Sequence, residues 1–170
     1  MMCGITGTPG TGKSSVADEL ALRGYPVVRL AATVKGYIVG EDGERDTRII
    51  DEDRWIREFT PVEGIVEGHL AHLLPCDKVV ILRCRPDILL ARLRSRGYRE
   101  EKCRENAEAE ALDVCLIETL DGHAPEHVLE IDATDIPPPR VADLIEDFLR
   151  GRIPPAHGRI DWSDYLMEAV

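Results

Sequence analysis

Hydrophobic and polar residues along the chain form short apolar runs separated by longer stretches with helical periodicity. The apolar runs are rich in Val, Ile and Leu and predict buried strands, whereas apolar residues three or four positions apart predict helices. Because strands and helices alternate, the pattern predicts a single doubly wound α/β domain with a parallel sheet flanked by helices. The five predicted strands cover residues 2–6, 26–30, 64–69, 78–84 and 127–133.

Residues suited to helix ends support the predicted helices. Asp51 is a suitable amino-terminal cap for a helix whose Trp55, Ile56 and Phe59 face inward. Pro86 suits the first turn of another helix, where a missing N–H group costs nothing. The predicted helices cover residues 13–23, 51–59, 86–96, 99–120 and 138–150.

The helix predicted over residues 99–120 is the longest. Cys103, Ala107, Ala111 and Cys115 recur at every fourth position in this stretch. Residues four apart lie on one face of a helix. We therefore expect one uninterrupted helix here.

The carboxyl-terminal residues differ in character from the rest of the chain. Gly151 ends the last predicted helix, so we expect a domain over residues 1–150 and a proline-interrupted tail over 151–170. Burial of large apolar side chains away from water lowers the free energy of the folded protein, so the tail is expected to dock on the domain. Four such side chains in the tail are Trp162, Tyr165, Leu166 and Met167.

Composition restricts the classes of function. With 31% charged and 44% hydrophobic residues, the 170-residue chain resembles an ordinary soluble globular domain. Its net charge of −11 argues against broad nucleic-acid binding and leaves two interpretations, solubility or an acidic surface for a basic partner. No apolar run is long enough for a membrane span and no secretion signal is recognisable, so we expect a cytoplasmic protein. The five cysteines show no Cys-x-x-Cys spacing, which predicts neither disulfides nor a zinc site.

The segment CGITGTPGTGKSS carries the strongest chemical signal. It contains Gly7-x-x-x-x-Gly12-Lys13-Ser14, between a predicted strand and a predicted helix. Glycines at this spacing let backbone N–H groups surround phosphate oxygens at the start of a helix. Lys13 can then reach the β- and γ-phosphates, and the Ser14 hydroxyl can bind Mg²⁺. We call residues 7–14 the phosphate loop.

The phosphate loop alone is compatible with a GTPase, an ATP-driven assembly factor or a small-molecule kinase. A GTPase normally has an Asn-Lys-x-Asp segment that recognises guanine and an Asp-x-x-Gly switch. Neither pattern occurs in the sequence, which argues against a GTPase.

An arginine-rich segment surrounds a predicted break between two helices at Gly97. Phosphoryl transfer requires positive charge around the moving group, so these arginines are typical of a small lid over a nucleotide. The alternative is a solvated face paired with Glu100, Glu101 and Glu105. The arginines are Arg92, Arg94, Arg96, Arg99 and Arg104.

Glu67 ends a predicted strand, and His69 follows two residues later. In a doubly wound sheet the carboxyl ends of strands face the ligand crevice. Glu67 is therefore a candidate for the Mg²⁺ shell or for orienting water. His69 is a candidate for positioning a phosphate or an attacking water, although a hydrogen-bonded histidine without a catalytic role is the alternative.

Taken together, these motifs resemble those of a known family over residues 1–150. The matching segments, in order, are GTPGTGKS, IIDEDR at 49–54, Glu67-x-His69, and RGY at 96–98 followed by Asn106. Their order and spacing resemble the atypical, nuclear-type adenylate kinases that also act as ribosome-assembly ATPases (the CINAP family), in the form found in archaea. The chain has Glu67 where that family usually has Asp.

The resemblance implies a P-loop fold and an activity that converts ATP and AMP into two ADP, together with ATP hydrolysis. It implies a nucleoside-monophosphate segment at about 29–50, a lid at about 95–105 and an adenine-bordering loop at 132–136. Arg48 and Arg54 are the candidate cations for the AMP phosphate. Catalysis is assigned to Lys13, Arg96, Glu67 and His69, Mg²⁺ to Ser14 and Glu67, and ATP binding to Gly10, Thr11, Gly12, Lys13, Ser14, Ser15, Arg96 and Asp135.

The resemblance also implies a basic small-subunit ribosomal protein as a partner, and an acidic surface suits such a protein. Two functions therefore stay open. The chain is either a nucleoside-monophosphate kinase, or an assembly ATPase for a ribosomal protein in which kinase turnover is incidental.

Overall fold

The computed structural model describes residues 1–42 and 47–168. Its main sheet has five parallel strands in the order β2-β5-β1-β6-β7, which confirms the predicted fold class and all five strands. The strands are β1 (Met2–Thr6), β2 (Val27–Arg29), β5 (Gly64–Glu67), β6 (Lys78–Arg83) and β7 (Val128–Asp132), and a separate antiparallel hairpin contains β3 (Ile38–Asp42) and β4 (Thr47–Ile50).

Four of the predicted helices are confirmed to within one residue at each end. The predicted cap is also present, because the Asp51 side chain accepts a hydrogen bond of 3.1 Å from the Arg54 backbone N–H. Within the described ranges, no helix has both the length and the apolar character needed to cross a membrane. The helices are α1 (Lys13–Leu22), α2 (Leu30–Thr33), α3 (Glu52–Glu58), α4 (Pro86–Ser95), α5 (Glu100–Ala111), α6 (Val114–Gly122), α7 (Pro138–Leu149) and α8 (Ser163–Glu168).

The single helix predicted over residues 99–120 is wrong, because the structure has α5 and α6 there with a break at Asp113. Asp113 adopts a left-handed φ of 57°. The buried Arg83 explains the break: its Nη2 donates to the Glu110 carbonyl at 2.8 Å and to Asp113 Oδ1 at 2.5 Å. In a continuous helix that carbonyl would accept the N–H four residues later. The four-residue apolar spacing continues across the break and hides it from the sequence.

Residues 29–50, expected to form the nucleoside-monophosphate segment, contain more structure than the sequence pattern indicated. After β2 the chain forms α2, a 3₁₀ turn (Val34–Tyr37) and then the β3–β4 hairpin. The apolar residues of this hairpin do not alternate regularly with polar ones, so the periodicity did not predict strands.

Apolar side chains cover both faces of the main sheet. On one face Ile5 and Leu82 pack with α1 and α7. On the other face Val66 and Ile81 pack with α3 and α6, where Trp55 is buried as predicted. The two-sided core leaves the carboxyl ends of the strands free to form a crevice.

The tail runs along the outer edge of β7. Ala156 forms a parallel bridge with Leu129, and the Glu130 N–H donates to the Ala156 carbonyl at 2.7 Å. Ile153 packs against the core, and α8 packs against α5. Met167 in the same tail is 81% exposed and does not dock as we expected. The tail therefore pairs with backbone groups of an edge strand that would otherwise face solvent.

Removal of the buried Arg83 charge is expected to destabilise the fold strongly. Arg83 is 1% exposed and pairs with Glu110 and Glu130. Because Arg83→Met leaves these carboxylates buried without their cation, the free energy of unfolding should fall by about 3–5 kcal/mol. Urea unfolding followed by circular dichroism measures this.

The matched control is Arg85→Met, two positions along the chain. Arg85 pairs with Asp87, and both side chains are about half exposed. An exposed pair of this kind contributes little, so we expect an unfolding midpoint close to that of the unmodified protein. Equal losses in the two variants would contradict the importance of the buried charge.

Candidate nucleotide-binding site

The phosphate loop joins β1 to α1, and its shape depends on glycine. Gly7 has a φ of 139°, and a Cβ there would lie 2.3 Å from the Leu82 carbonyl oxygen, so only glycine fits. Gly12, directly before the first turn of α1, has a φ of 99°, and a Cβ there would meet no atom within 4 Å. The loop therefore presents backbone N–H groups and a helix amino terminus to one concave surface, which suits an anion.

Lys13 lies inside the loop. Its Nζ donates to the Gly7 carbonyl at 2.8 Å and to the Thr8 carbonyl at 2.9 Å, and the residue is 8% exposed. Burial lowers the pKa of Lys13 to about 8, and the negative charge of Glu67 opposes part of this effect. A phosphate oxygen can replace the two carbonyls as hydrogen-bond acceptor of the Lys13 ammonium with little movement of the lysine side chain.

Ser14 and Glu67 meet at the mouth of the loop. The Ser14 hydroxyl donates to Glu67 Oε1 at 3.3 Å, and Glu67 is buried at the end of β5 beside β1. Within residues 1–42 and 47–168, no cluster of three or more acidic, histidine or cysteine side chains could enclose a metal ion. A hydroxyl and a carboxylate nevertheless fit Mg²⁺, because this ion usually keeps water and phosphate oxygens as its other ligands.

Arg29 is a residue of this site that the sequence analysis did not identify. Its Nη1 donates to Glu67 Oε2 at 2.9 Å and to the Ser14 carbonyl at 3.2 Å, and its Nη2 pairs with Asp18. Arg29 and Glu67 are register partners on the parallel strands β2 and β5. The usable signal was its position, since Arg29 is a cation at the end of a strand that the sequence had predicted.

His69 is exposed two residues beyond Glu67, and the Thr6 hydroxyl donates to its backbone carbonyl at 3.1 Å. The protein on the other sides of the ring reduces its solvation. This effect, followed by the positive charges of Lys13 and His72, lowers the pKa of His69 to about 4. The imidazole is therefore neutral at pH 7 and has a nitrogen that can accept a hydrogen bond.

A cavity of about 180 Å³ lies between the phosphate loop and the arginine-rich segment. Arg96 follows the last turn of α4 and lines this cavity together with Arg92. Arg92 Nη2 donates to the Thr134 carbonyl at 2.8 Å, and Nη1 lies 3.5 Å from the Gly10 carbonyl oxygen. The structure thus places two of the five arginines predicted to form a lid, Arg92 and Arg96, beside the loop.

The other arginines of the segment divide between the two interpretations. Arg94 and Arg104 both pair with Glu100 at the exposed start of α5. These two arginines follow the alternative of a solvated, paired face. Only part of the arginine-rich segment therefore faces the loop.

The opposite wall of the cavity comes from the loop after β7. Its lining residues are Ala133 and Ile136, together with Pro138 and Val141 of α7. Asp135, the residue predicted to bind ATP, is exposed and is not one of the lining residues. The apolar character of the wall suits a flat aromatic base, and single alanine, isoleucine and proline residues carry no motif that a sequence would reveal.

The two arginines predicted to bind AMP lie on β4 and α3. Arg48 is exposed on β4. Arg54 donates to Glu58 Oε1 at 2.9 Å, and its guanidinium lies over the Tyr37 ring at 5.4 Å from the centroid. Arg54 therefore already has partners on its own helix and on the 3₁₀ turn (Val34–Tyr37).

A larger open groove of about 720 Å³ lies beside α6 and contains His72, Glu118 and His123. His72 is buried between the Thr6 hydroxyl at 2.7 Å and Glu118 Oε2 at 3.0 Å. Both ring nitrogens are thus occupied, and the lining residues do not include the phosphate loop. Size alone does not identify the nucleotide site.

Comparisons with known proteins agree with this geometry. Residues 3–113 match a family model described as an AAA domain. The chain is 43% identical to a protein of Natronomonas pharaonis named "Putative adenylate kinase", over 98% of this chain and 100% of that protein. It is also 43% identical to a protein of the same name from Archaeoglobus fulgidus, over 100% of this chain and 96% of that protein.

Among solved structures, shikimate kinase from Acinetobacter baumannii has a similar fold, with a TM-score of 0.59 and 19% identity over 89% of this chain and 93% of the other. Since the identity is low, that likeness concerns the fold alone. The close relatives match along almost their whole length. We conclude that the chain contains the AAA domain and belongs to the archaeal family of "Putative adenylate kinase" proteins.

Proposed function

We propose that the protein is an ATP-dependent nucleoside-monophosphate kinase that converts ATP and AMP into two ADP. The observation that carries this proposal is the cavity that joins the phosphate loop, Arg92 and Arg96 to an apolar wall. In the reaction, an AMP phosphate oxygen attacks the γ-phosphorus of ATP. The bond from that phosphorus to the β–γ bridging oxygen breaks, and the bridging oxygen stays with the first ADP.

We expect ATP to place its base against Ala133, Ile136 and Pro138. Its phosphates would then follow the loop residues 10–15 toward Lys13, because the cavity joins the two surfaces. Lys13 and Arg96 then stabilise negative charge on the transferred phosphoryl group and are the proposed catalytic cations. The relatives' name supports adenine nucleotides as substrates.

Mg²⁺ is expected to bind the Ser14 hydroxyl, with Glu67 in its shell directly or through water, since both are oxygen ligands at the mouth of the loop. When bound, the ion neutralises charge on the phosphates. Glu67 also orients Arg29 through their 2.9 Å contact. The same carboxylate would therefore hold both the ion and Arg29 at the mouth of the loop.

AMP is expected on the β2 side of the loop, where residues 29–50 are the proposed nucleoside-monophosphate segment, and residues 95–105, after β6, are the proposed lid. Arg29 is a cation that contacts the Ser14 carbonyl there, and we infer that it binds the AMP phosphate. Arg48 and Arg54, predicted from the sequence, remain the alternatives. The kinase domain would then comprise residues 1–150, with the tail outside the reaction.

A second candidate function is ATP hydrolysis in small-subunit ribosome assembly. His69 favours it, because a neutral imidazole exposed beside the loop can accept a hydrogen bond from an attacking water. A net charge of −11 suits a basic ribosomal protein as partner. Both activities would take place in the cytoplasm.

An assay that follows ADP and phosphate separately distinguishes the two functions. With Mg-ATP and AMP, the kinase should form two ADP per AMP consumed without free phosphate. Lys13→Met should lower this rate by about 100-fold or more, because the developing charge loses its main cation. Arg152→Ala, an exposed change in the tail, is the control and should leave the rate unchanged.

Phosphate release that ignores AMP, with no ADP formed from AMP, would refute the kinase and support the ATPase. Full ADP formation by folded Lys13→Met would refute the role of the phosphate loop. Circular dichroism checks that the variant is folded.

The affinity for ATP should depend on pH through Lys13. The group binds phosphate when protonated, and its pKa of about 8 in the free protein is raised by the bound phosphates. Affinity should therefore stay constant just below pH 8 and fall by up to about tenfold per pH unit above it. Calorimetric dissociation constants between pH 7.5 and 9.5 measure this effect.

Lys13→Arg is the matched control, because arginine stays charged over this range. Its affinity, whatever the absolute value, should not change between pH 7.5 and 9.5. A flat profile for the unmodified protein would contradict the position of Lys13 among the phosphates.

The cation that binds AMP can be identified by comparing Arg29→Met with Arg54→Met. Loss of a charge-assisted hydrogen bond to the acceptor phosphate should raise the KM for AMP by about tenfold in Arg29→Met. Arg54→Met should change it less than about twofold, because Arg54 contacts Glu58 and Tyr37, whereas Arg29 contacts the Ser14 carbonyl at the phosphate loop. The reverse result would return the role to Arg54.

A further inference from the structure

A carboxylate behind the phosphate loop, Glu110, has no part in the nucleotide contacts described above. It lies in the last turn of α5 and is 1% exposed. A buried carboxylate is costly unless its oxygens are paired. Here Oε1 accepts hydrogen bonds from Arg83 Nε at 2.7 Å and from the Cys84 N–H at 3.0 Å, and Oε2 accepts one from the Thr8 hydroxyl at 2.5 Å.

Thr8 connects this carboxylate to Lys13. The Thr8 carbonyl accepts hydrogen bonds from Lys13 Nζ at 2.9 Å and from the Thr11 hydroxyl at 2.9 Å. When a phosphate takes over the ammonium of Lys13, the carbonyl loses that contact. The hydroxyl bond to Glu110 then remains as the side-chain attachment of Thr8 to the rest of the protein.

The hydrogen bond between Thr8 and Glu110 lies at the base of the helical hairpin formed by α4 and α5, which carries Arg96. Helices α4 and α5 run to and from the turn at Gly97, so Arg96 lies near the tip. Arg92 joins α4 to the loop near Gly10, and Glu110 joins α5 to it at Thr8. Glu110 lies about 15 Å along α5 from the tip, since each helical residue rises about 1.5 Å. A small rotation at the base therefore displaces Arg96 appreciably.

We propose, on the basis of the function proposed above, that Glu110 is a positioning residue. Its hydrogen bond to Thr8 holds α5 against the phosphate loop and thereby holds Arg96 beside the phosphoryl group to be transferred. Transfer depends on such placement, because an error of about 1 Å can cost about 100-fold in rate.

The burial of Arg83 does not by itself require the bond to Thr8. Arg83 also pairs with Glu130 and Asp113, and Glu110 already meets Arg83 and the Cys84 N–H through Oε1. The second oxygen, Oε2, faces the loop and is used for Thr8. Oε1 of Glu110 thus stabilises the fold through Arg83 and Cys84, whereas Oε2 contacts the phosphate loop through Thr8.

Thr8→Val tests the proposal without breaking the buried ion pairs, since valine keeps the shape and removes only the hydroxyl. We expect kcat for ADP formation to fall about tenfold, which is the loss of one hydrogen bond to a charged group. The KM for ATP should change less than about threefold. Thr8→Ser restores the hydroxyl and should recover most of kcat. Thr119→Val, which removes another buried hydroxyl that donates to the Cys115 carbonyl within α6, is the control and should keep the original kcat.

A double-mutant cycle with Arg96→Ala separates positioning from general damage. If Thr8 acts through Arg96, Thr8→Val should lower kcat by less than twofold once Arg96 is absent. The full tenfold loss in the Arg96→Ala background would overturn the proposal, and so would an unchanged kcat in Thr8→Val alone.

Hydrogen exchange of residues 95–105 distinguishes failure of this proposal from failure of the proposed function. A non-hydrolysable ATP analogue with Mg²⁺ should slow exchange there in the unmodified protein and in Thr8→Ser but not in Thr8→Val. If the unmodified protein makes no ADP from AMP yet shows this pattern, the kinase is refuted and the positioning role is supported. If Thr8→Val retains both transfer and protection, only the positioning role is refuted.

Discussion

The buried guanidinium of Arg83 is the interaction on which much of the structure depends. A charge removed from water at the end of a central strand requires partners on every side, and Arg83 finds them in Glu110, Asp113 and Glu130. These contacts end α5 and orient α6. The second oxygen of Glu130 also accepts the Gly158 N–H at 2.9 Å, which attaches the tail. One cation thus joins two strands, two helices and the carboxyl-terminal segment directly behind the phosphate loop.

The nucleotide site forms where strand ends, the loop and the helical hairpin converge. In the order β2-β5-β1-β6-β7, the central strand β1 leads into the phosphate loop, with the end of β5 on one side and the end of β6 on the other. This arrangement places Glu67 at the mouth of the loop and Arg83 behind it. Lys13 and Arg96 concentrate positive charge here in a chain with a net charge of −11. The local field therefore favours polyphosphate although the overall charge opposes it.

Most of the fold was predictable, and the failures have a common cause. The five strands and four of the helices follow from local sequence pattern, because the strands are short apolar runs buried on both faces and each helix buries one face of its own residues. The break at Asp113 depends instead on Arg83, 30 residues earlier in the chain. Arg29 was missed for the same reason, since its role arises only when β2 and β5 pair and bring it to Glu67. Residues 43–46, within the predicted nucleoside-monophosphate segment, lie outside the described residues.

The sequence by itself determined the phosphate loop and the places of Lys13 and Ser14 at the start of α1, because glycine conformations and helix starts are properties of adjacent residues. It also determined the alternation of strands and helices. Only the tertiary structure decided which arginines face the loop, which residues form the apolar wall, and that Thr8 is tied to Glu110, 102 positions away. These are contacts between segments distant in the chain, and their energies exist only after the sheet has assembled.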